Sequence, residues 1–230
     1  MIILTAGHTG PNSGAQCATT QFDEGAENIW LRNRIAEILT NKYGLVVLMD
    51  DDRASLQTIT KQLSVTPSGL DGDGNTLIRG WLRPNCSCSA TEVNFVALAY
   101  SQFLHPCLCS DTPTAFDFVI DLHFNAHSNP NARGTEAIVA DDATTLELQF
   151  ASRLAHTTSD ALNIPLRCIK SESQTPHHRL AMLHLTPQSI ILEVCFCTSP
   201  EDVEAYRNNR EKLAVELAWA IAELILDRKT

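Results

Sequence analysis

The 230 residues, 44% of them hydrophobic, suffice for one large core and leave little room for a second domain of ordinary size. A formal net charge of −10 argues against a nucleic-acid-binding surface or an anionic membrane partner. No apolar run reaches the roughly 18 residues of a bilayer span, because residues 213–226 are interrupted by Glu216 and Glu223, and membrane insertion is not expected.

The opening stretch, MIILTAGHTG, has no basic start and a short apolar run, so it does not read as a signal peptide. The expected product is made in the cytoplasm. Residues 2–5 read as a buried strand, followed by a glycine-punctuated loop. Residues 24–42 carry Ile29, Leu31, Ile35, Ile38 and Leu39 at helical spacing and stop at Gly44. A strand over 45–49 and a short helix through Leu56, Ile59 and Leu63 follow. Residues 65–76 read as a loop. Their likeness to a calcium loop is superficial, because Thr76 stands where glycine is needed and Leu82 where glutamate is needed.

Further on, the periodicity predicts a helix over 91–104, strands over 116–122 and 135–140, and a helix over 145–162. Strands at 166–170 and 189–194 come next. Ser199-Pro200-Glu201-Asp202 combines a cap, a proline at the first helical position and an acid at the third, which marks a helix start. Residues 210–227 form the closing helix. Apolar strands alternating with helices predict an α/β fold: a twisted, mostly parallel sheet flanked by helices on both faces. The expectation is a single domain over 1–230 with an insertion at about 64–90 that breaks this rhythm.

Functional groups in open α/β sheets gather beyond the carboxyl ends of the strands. His8 follows the first strand, Glu24 opens the helix after the next loop, His123 ends the third strand, and Glu193 lies at the end of SIILEV. Two histidines and a carboxylate from separate loops can fill three corners of a zinc tetrahedron and leave the fourth open. A carboxylate in the apolar run Ile190-Ile191-Leu192-Glu193 is costly without a partner or a catalytic task. On spacing alone, structural roles for each histidine stand beside this reading.

The blocks TAGHTG, SGA, DEGAENIWLRNRI, DLHFNAH, RGTEAIV and IILEVCFCTSPEDVEAYRNN occur in the order seen in amidase_3 N-acetylmuramoyl-L-alanine amidases. The chain resembles that family, in particular its phage and prophage lysin branch, from residue 2 to about 226 with a gap near 53–90. The resemblance implies a phosphorylase/hydrolase-like fold and one catalytic Zn²⁺ held by His8, Glu24 and His123. It makes Glu193 the catalytic acid/base. The family register selects Glu24 over Glu27, which lies three residues on. The implied reaction is hydrolysis of the amide between the lactyl group of N-acetylmuramic acid and L-alanine of the stem peptide. The implied partner is peptidoglycan, with no separate wall-binding domain, a monomer expected, and action on the wall after release from the cell.

Other groups stay as alternatives. Asn125 either bonds substrate or braces its loop, and His127 either lines the cleft or faces water. Asp121 shares a strand face with His123 and is a candidate to orient it. Arg167 and Arg179 are candidates to pair with stem-peptide carboxylates, and His177-His178 reads as a solvated loop. Cys86/Cys88 and Cys107/Cys109 flank the helix expected over 91–104. They could form a second, structural zinc site, form disulfides, or stay reduced. Cys195 follows Glu193 on the same expected strand face. The rivals are a zinc carboxypeptidase-like peptidase, whose H-x-x-E pair is absent here, and a catalytically silent wall-binding protein, which would have no need of Glu193.

Overall fold

The computed structural model describes residues 2–8, 14–17, 19–45, 47–49, 67–70, 76–79, 92–94, 118–129, 131–176, 178–184 and 188–226. The chain divides into two compact units, Met1–Leu56 with Asp117–Thr230, and Gln57–Phe116.

The first unit is built on a six-stranded sheet. Its strands are β1 (Ile2–Ala6), β4 (Val47–Met49), β8 (Phe118–Asn125), β9 (Thr135–Val139), β10 (Leu166–Ser171) and β11 (Ser189–Phe196), in the order β10-β9-β11-β8-β1-β4. β4, β1, β8 and β11 are mutually parallel, whereas β9 is antiparallel to β11 and parallel to β10. The carboxyl ends of β1, β8 and β11 therefore meet the amino ends of β9 and β10 along one edge. A short antiparallel pair, β2 (Gln16–Cys17) and β3 (Phe22–Asp23), lies between β1 and the first helix.

Three helices carry the bulk of the core. Helix α1 (Glu24–Tyr43) starts where the Asp23 side chain accepts from Ala26 N at 3.2 Å, and ends on Gly44 at φ 64°. Helix α2 (Thr145–Leu162) opens with a capping box between Thr144 and Glu147. Helix α3 spans Pro200–Leu226 without a break. The helix start read at Ser199-Pro200-Glu201-Asp202 is present, but it and the closing helix expected over 210–227 are one element, because buried Val203, Tyr206, Leu213, Leu217 and Ile221 continue one stripe and no glycine interrupts it.

The two faces of the sheet differ in chemistry. Ile2, Leu4, Phe118, Ile120, Leu122, Phe124, Ala137, Ile190, Leu192 and Val194 form one core with all three helices. The alternate residues point the other way. There Ile138 and Ile191 pack with Leu183 of the 3₁₀ turn Ala181–His184, while Asp121, His123, Glu136 and Glu193 gather at the upper edge. The expected mostly parallel sheet flanked by helices is present. Among the described residues, the long helices cover the apolar face and the 3₁₀ turn lies on the polar one.

In the second unit β5 (Pro67–Leu70), β6 (Thr76–Arg79) and β7 (Glu92–Asn94) form a three-stranded antiparallel sheet. This corrects two expectations. The loop read over 65–76 contains β5, whose Pro67 is tolerated because β5 is an edge strand. The helix read over 91–104 begins instead as strand β7, where pairing with β6 overrides a local helical period. The rest of that stretch, the helix through Leu56–Leu63 and all four of Cys86, Cys88, Cys107 and Cys109 lie outside the described residues. Among the described residues no helix is long and apolar enough to cross a membrane.

Candidate metal centre and adjoining carboxylate

His8, Glu24 and His123 converge at the upper edge of the sheet. One ligand-type atom from each lies within 4.8 Å of the others. His8 Nε2 is 3.9 Å from Glu24 Oε1, and His123 Nδ1 is 3.5 Å from the same oxygen. The two imidazoles meet edge to face at 5.1 Å between centroids. Glu27 is turned away, accepting from Tyr206 Oη at 3.1 Å and pairing with Arg210 at 3.0 Å.

Local packing explains why these three side chains meet. Phe22 precedes Glu24 by two residues and Phe124 follows His123. The two rings pack at 4.7 Å and both contact Tyr206 of α3, at 5.7 and 4.9 Å. Such pairs contribute about 1 kcal/mol each beyond their burial. The aromatic cluster ties the start of α1 to the end of β8. Two glycines then give the space. A Cβ on Gly7 would fall 2.0 Å from His123 Nε2, and one on Gly14, at φ +78°, would fall 2.4 Å from Glu24 Oε2.

Glu24 is held as an anion. Burial works to raise its pKa, but His123 beside it and the backbone N–H groups of Ala15 and Phe124, at 2.6 and 3.0 Å, outweigh that and hold it below the ordinary value. For His123, burial disfavours the charged form. Asp121, by charge and by a 3.0 Å contact to Nε2, together with Glu24, lifts the pKa well above the ordinary value. Asp121 is itself fixed by Thr5 Oγ1, which donates at 2.7 Å. His123 can therefore give Nε2–H to Asp121 and present Nδ1 towards Glu24 and His8, the carboxylate–histidine arrangement that sets a metal-binding tautomer. Burial, in contrast, lowers the pKa of His8.

Glu193 stands in register with His123, one strand over on the same face. Its Oε2 is buried with no hydrogen-bond partner among the described residues. Burial raises its pKa to about 7, with the nearby His123 opposing and Glu24 adding to the shift. An anionic carboxylate, two imidazole nitrogens and an orphaned carboxyl oxygen beside them fit a bound divalent cation of the zinc type.

The other sequence candidates resolve individually. Asn125 braces its loop: its Oδ1 accepts from Ala126 N at 2.8 Å, and its Nδ2 reaches Glu136 at 3.4 Å. His127 is exposed and accepts from Asn129 N at 2.9 Å. Arg179 is exposed, in the segment just before the Ala181–His184 turn. Cys195 does not share the face of Glu193. The register shifts between Glu193 and Phe196, and the thiol joins the apolar core, where burial pushes its pKa well up. Cys197 is bridged to Cys17 of β2.

Four contributors were not identified from the sequence: Thr5, Gly7, Gly14 and Glu136. Glu136 carried a usable signal, since it is an acid inside the apolar strand TEAIV just as Glu193 is in SIILEV. The glycines carried none beyond their place in loops.

The family of N-acetylmuramoyl-L-alanine amidases, Amidase_3, matches residues 110–227, just over half of the chain. The chain belongs to this family, whose members are hydrolases of cell-wall peptidoglycan. No curated protein matches the chain. Among solved structures it is similar to an N-acetylmuramoyl-L-alanine amidase from Clostridium difficile 630, at 18% identity over 98% of this chain and 94% of that one, with a TM-score of 0.62. The catalytic domain of the amidase CwlV from Bacillus (Paenibacillus) polymyxa var. colistinus matches at 14% identity over 97% of both chains, TM-score 0.62. The catalytic domain of CD27L, an endolysin targeting Clostridia difficile, matches at 18% identity over 98% and 96%, TM-score 0.58. At these identities the structural likeness speaks to the fold.

Proposed function

We propose that the protein is a zinc-dependent N-acetylmuramoyl-L-alanine amidase and acts as a phage lysin. It cuts the amide between the muramoyl lactyl group and L-alanine of the stem peptide. The observation that carries the reading is the buried, unpartnered Oε2 of Glu193, in register beside His123 at the His8–Glu24–His123 cluster. A buried carboxyl oxygen left without a partner costs roughly 1–3 kcal/mol, which a proton-transfer role would account for.

His8, Glu24 and His123 would hold the zinc, which when bound supplies Lewis acidity that polarises the scissile carbonyl and lowers the pKa of water. The anionic Glu24 supplies the charge, and its two backbone donors keep it in place. Asp121 keeps the Nε2 proton on His123. Glu193, with a pKa of about 7, accepts a proton from water at neutral pH and returns it to the leaving amine nitrogen.

The lysin role is supported by the likeness to an endolysin catalytic domain. Mass analysis of purified peptidoglycan digested with the zinc-loaded protein tests the reaction. New L-alanine amino termini without new reducing sugars or cut cross-links are expected; new reducing ends would point to a glycosidase instead. For the lysin role, cells expressing the protein should lyse only after their membrane is permeabilised.

A further inference from the structure

We infer that Arg167 and Lys170, gathered by Glu136 beside Glu193, form a subsite for a carboxylate on the peptide half of the substrate. The inference rests on the amidase reading above and names the group recognised next to the scissile bond.

The strand registers place the residues in one row. His123 on β8 pairs with Glu193 on β11, Glu193 with Glu136 on β9, and Glu136 with Cys168 on β10. Partners in register share a face, so the row runs from the metal cluster across the acid/base to β10. Glu136 is buried and accepts from Arg167 Nε at one oxygen and from Lys170 Nζ at the other, with Asn125 Nδ2 also at 3.4 Å. The Arg167 guanidinium lies over the Phe196 ring at 5.0 Å.

A purely structural ion pair would be complete with one cation, yet here two face a single buried carboxylate. Lys170 also bears on the neighbouring Glu193; with Glu193 protonated, Arg167, Lys170 and Glu136 together carry a net charge of +1 on a chain whose formal charge is −10. Glu136 is 3% exposed, whereas Arg167 is 41% exposed and Lys170 23%. The carboxylate thus works as an anchor that fixes two cations while their outer sides stay open to solvent. The Arg167 guanidinium gives Nε–H to Glu136 and Nη1–H to the Arg133 carbonyl oxygen at 3.4 Å, which leaves Nη2 to offer to a second carboxylate.

The placement suits the peptide half of the substrate. Glu193 delivers its proton to the leaving nitrogen, so the peptide leaves on the Glu193 side of the metal cluster, towards β9 and β10. Neighbouring strands are about 4.8 Å apart, which puts β10 roughly 10 Å from β11. An extended peptide advances about 3.5 Å per residue, so a carboxylate on the residue after L-alanine falls within reach of long Arg167 and Lys170 side chains.

The test is calorimetric binding of two peptides to the zinc-loaded protein: L-alanyl-D-glutamate, with its free carboxylates, and L-alanyl-D-isoglutamine, with the α-carboxylate amidated. Wild type should prefer the free carboxylate by about tenfold, the scale of one charge-assisted contact. Arg167→Met and Lys170→Met should each remove most of that preference; either variant leaves Glu136 one cation, so zinc content and melting temperature report that the fold survives. Equal binding of both peptides by wild type, or variants that keep the preference, would overturn the subsite. Cleavage of peptidoglycan is scored separately. Preference without cleavage would sink the amidase reading and leave the subsite, while cleavage without preference would do the reverse.

Discussion

Gly7 and His123 are in contact across β1 and β8 so closely that a Cβ on residue 7 would sit 2.0 Å from the imidazole Nε2. Residue 7 is therefore part of the candidate metal centre although it offers no ligand. Gly7→Ala should push the ring off Asp121 and cost the protein most of its zinc, with an overpacking penalty of about 1–3 kcal/mol. Metal content after dialysis and a melting curve check it; a variant that keeps stoichiometric zinc would refute the crowding argument.

Asp121 acts through His123. Removing its charge in Asp121→Asn takes away the acceptor that fixes the Nε2 proton, while Thr5 Oγ1 still has an oxygen to meet. Zinc affinity should fall roughly 10–100-fold with the fold retained. Competition with a chelator of known affinity measures the change.

Because Asp121 and Glu24 raise the pKa of His123, zinc must compete with a proton for its Nδ1. Zinc binding should release a proton, and affinity should climb as pH rises towards that raised pKa. Calorimetry in buffers of different ionisation enthalpy gives the proton count. A count of zero at pH 7 contradicts the assignment.

Glu193 sets a stability trend of opposite kind. Its folded pKa is about 7 against an ordinary 4.5, so the folded state keeps a proton that the unfolded chain gives up between these values. Stability is lost as pH rises through that window, by roughly 3 kcal/mol in total, and the loss is complete above it. In the metal-free protein Glu193→Gln should be more stable than wild type at pH 8 and no more stable at pH 4. Urea unfolding at the two pH values decides this. The same variant should lose about 10²–10⁴-fold in activity while still binding zinc.

The Cys17–Cys197 bridge closes a loop of sequence separation 180 and ties β2, next to the Ala15 donor to Glu24, to the chain just after Glu193's strand. Cys17→Ser should cost about 3 kcal/mol of stability under oxidising conditions. Under reducing conditions the difference from wild type should vanish.

The order of elements in the first unit was legible because its signals are local. Apolar runs such as IILTA and SIILEV, the helical spacing over 145–162 and Ser199-Pro200 each declare themselves within a few residues. The second unit was misread where strand pairing decides the outcome: Val93 fits a helical period but pairs with Ile78. Cys195 was placed on the wrong face because a register shift after Glu193 cannot be seen in the spacing.

What the sequence by itself determined was the main strands and helices of the first unit and the four residue types at their ends, His8, Glu24, His123 and Glu193. Those depend on alternation, helical period and caps, which are properties of neighbours along the chain. Only the tertiary structure decided which of them meet. It turned Glu27 towards Arg210 and Glu24 towards the histidines, set Asp121 behind His123, and brought Glu136 with Arg167 and Lys170 alongside Glu193. That choice rests on sheet order and register: β8 and β11 are distant in the chain and become neighbours only through backbone hydrogen bonds, which any sequence can make.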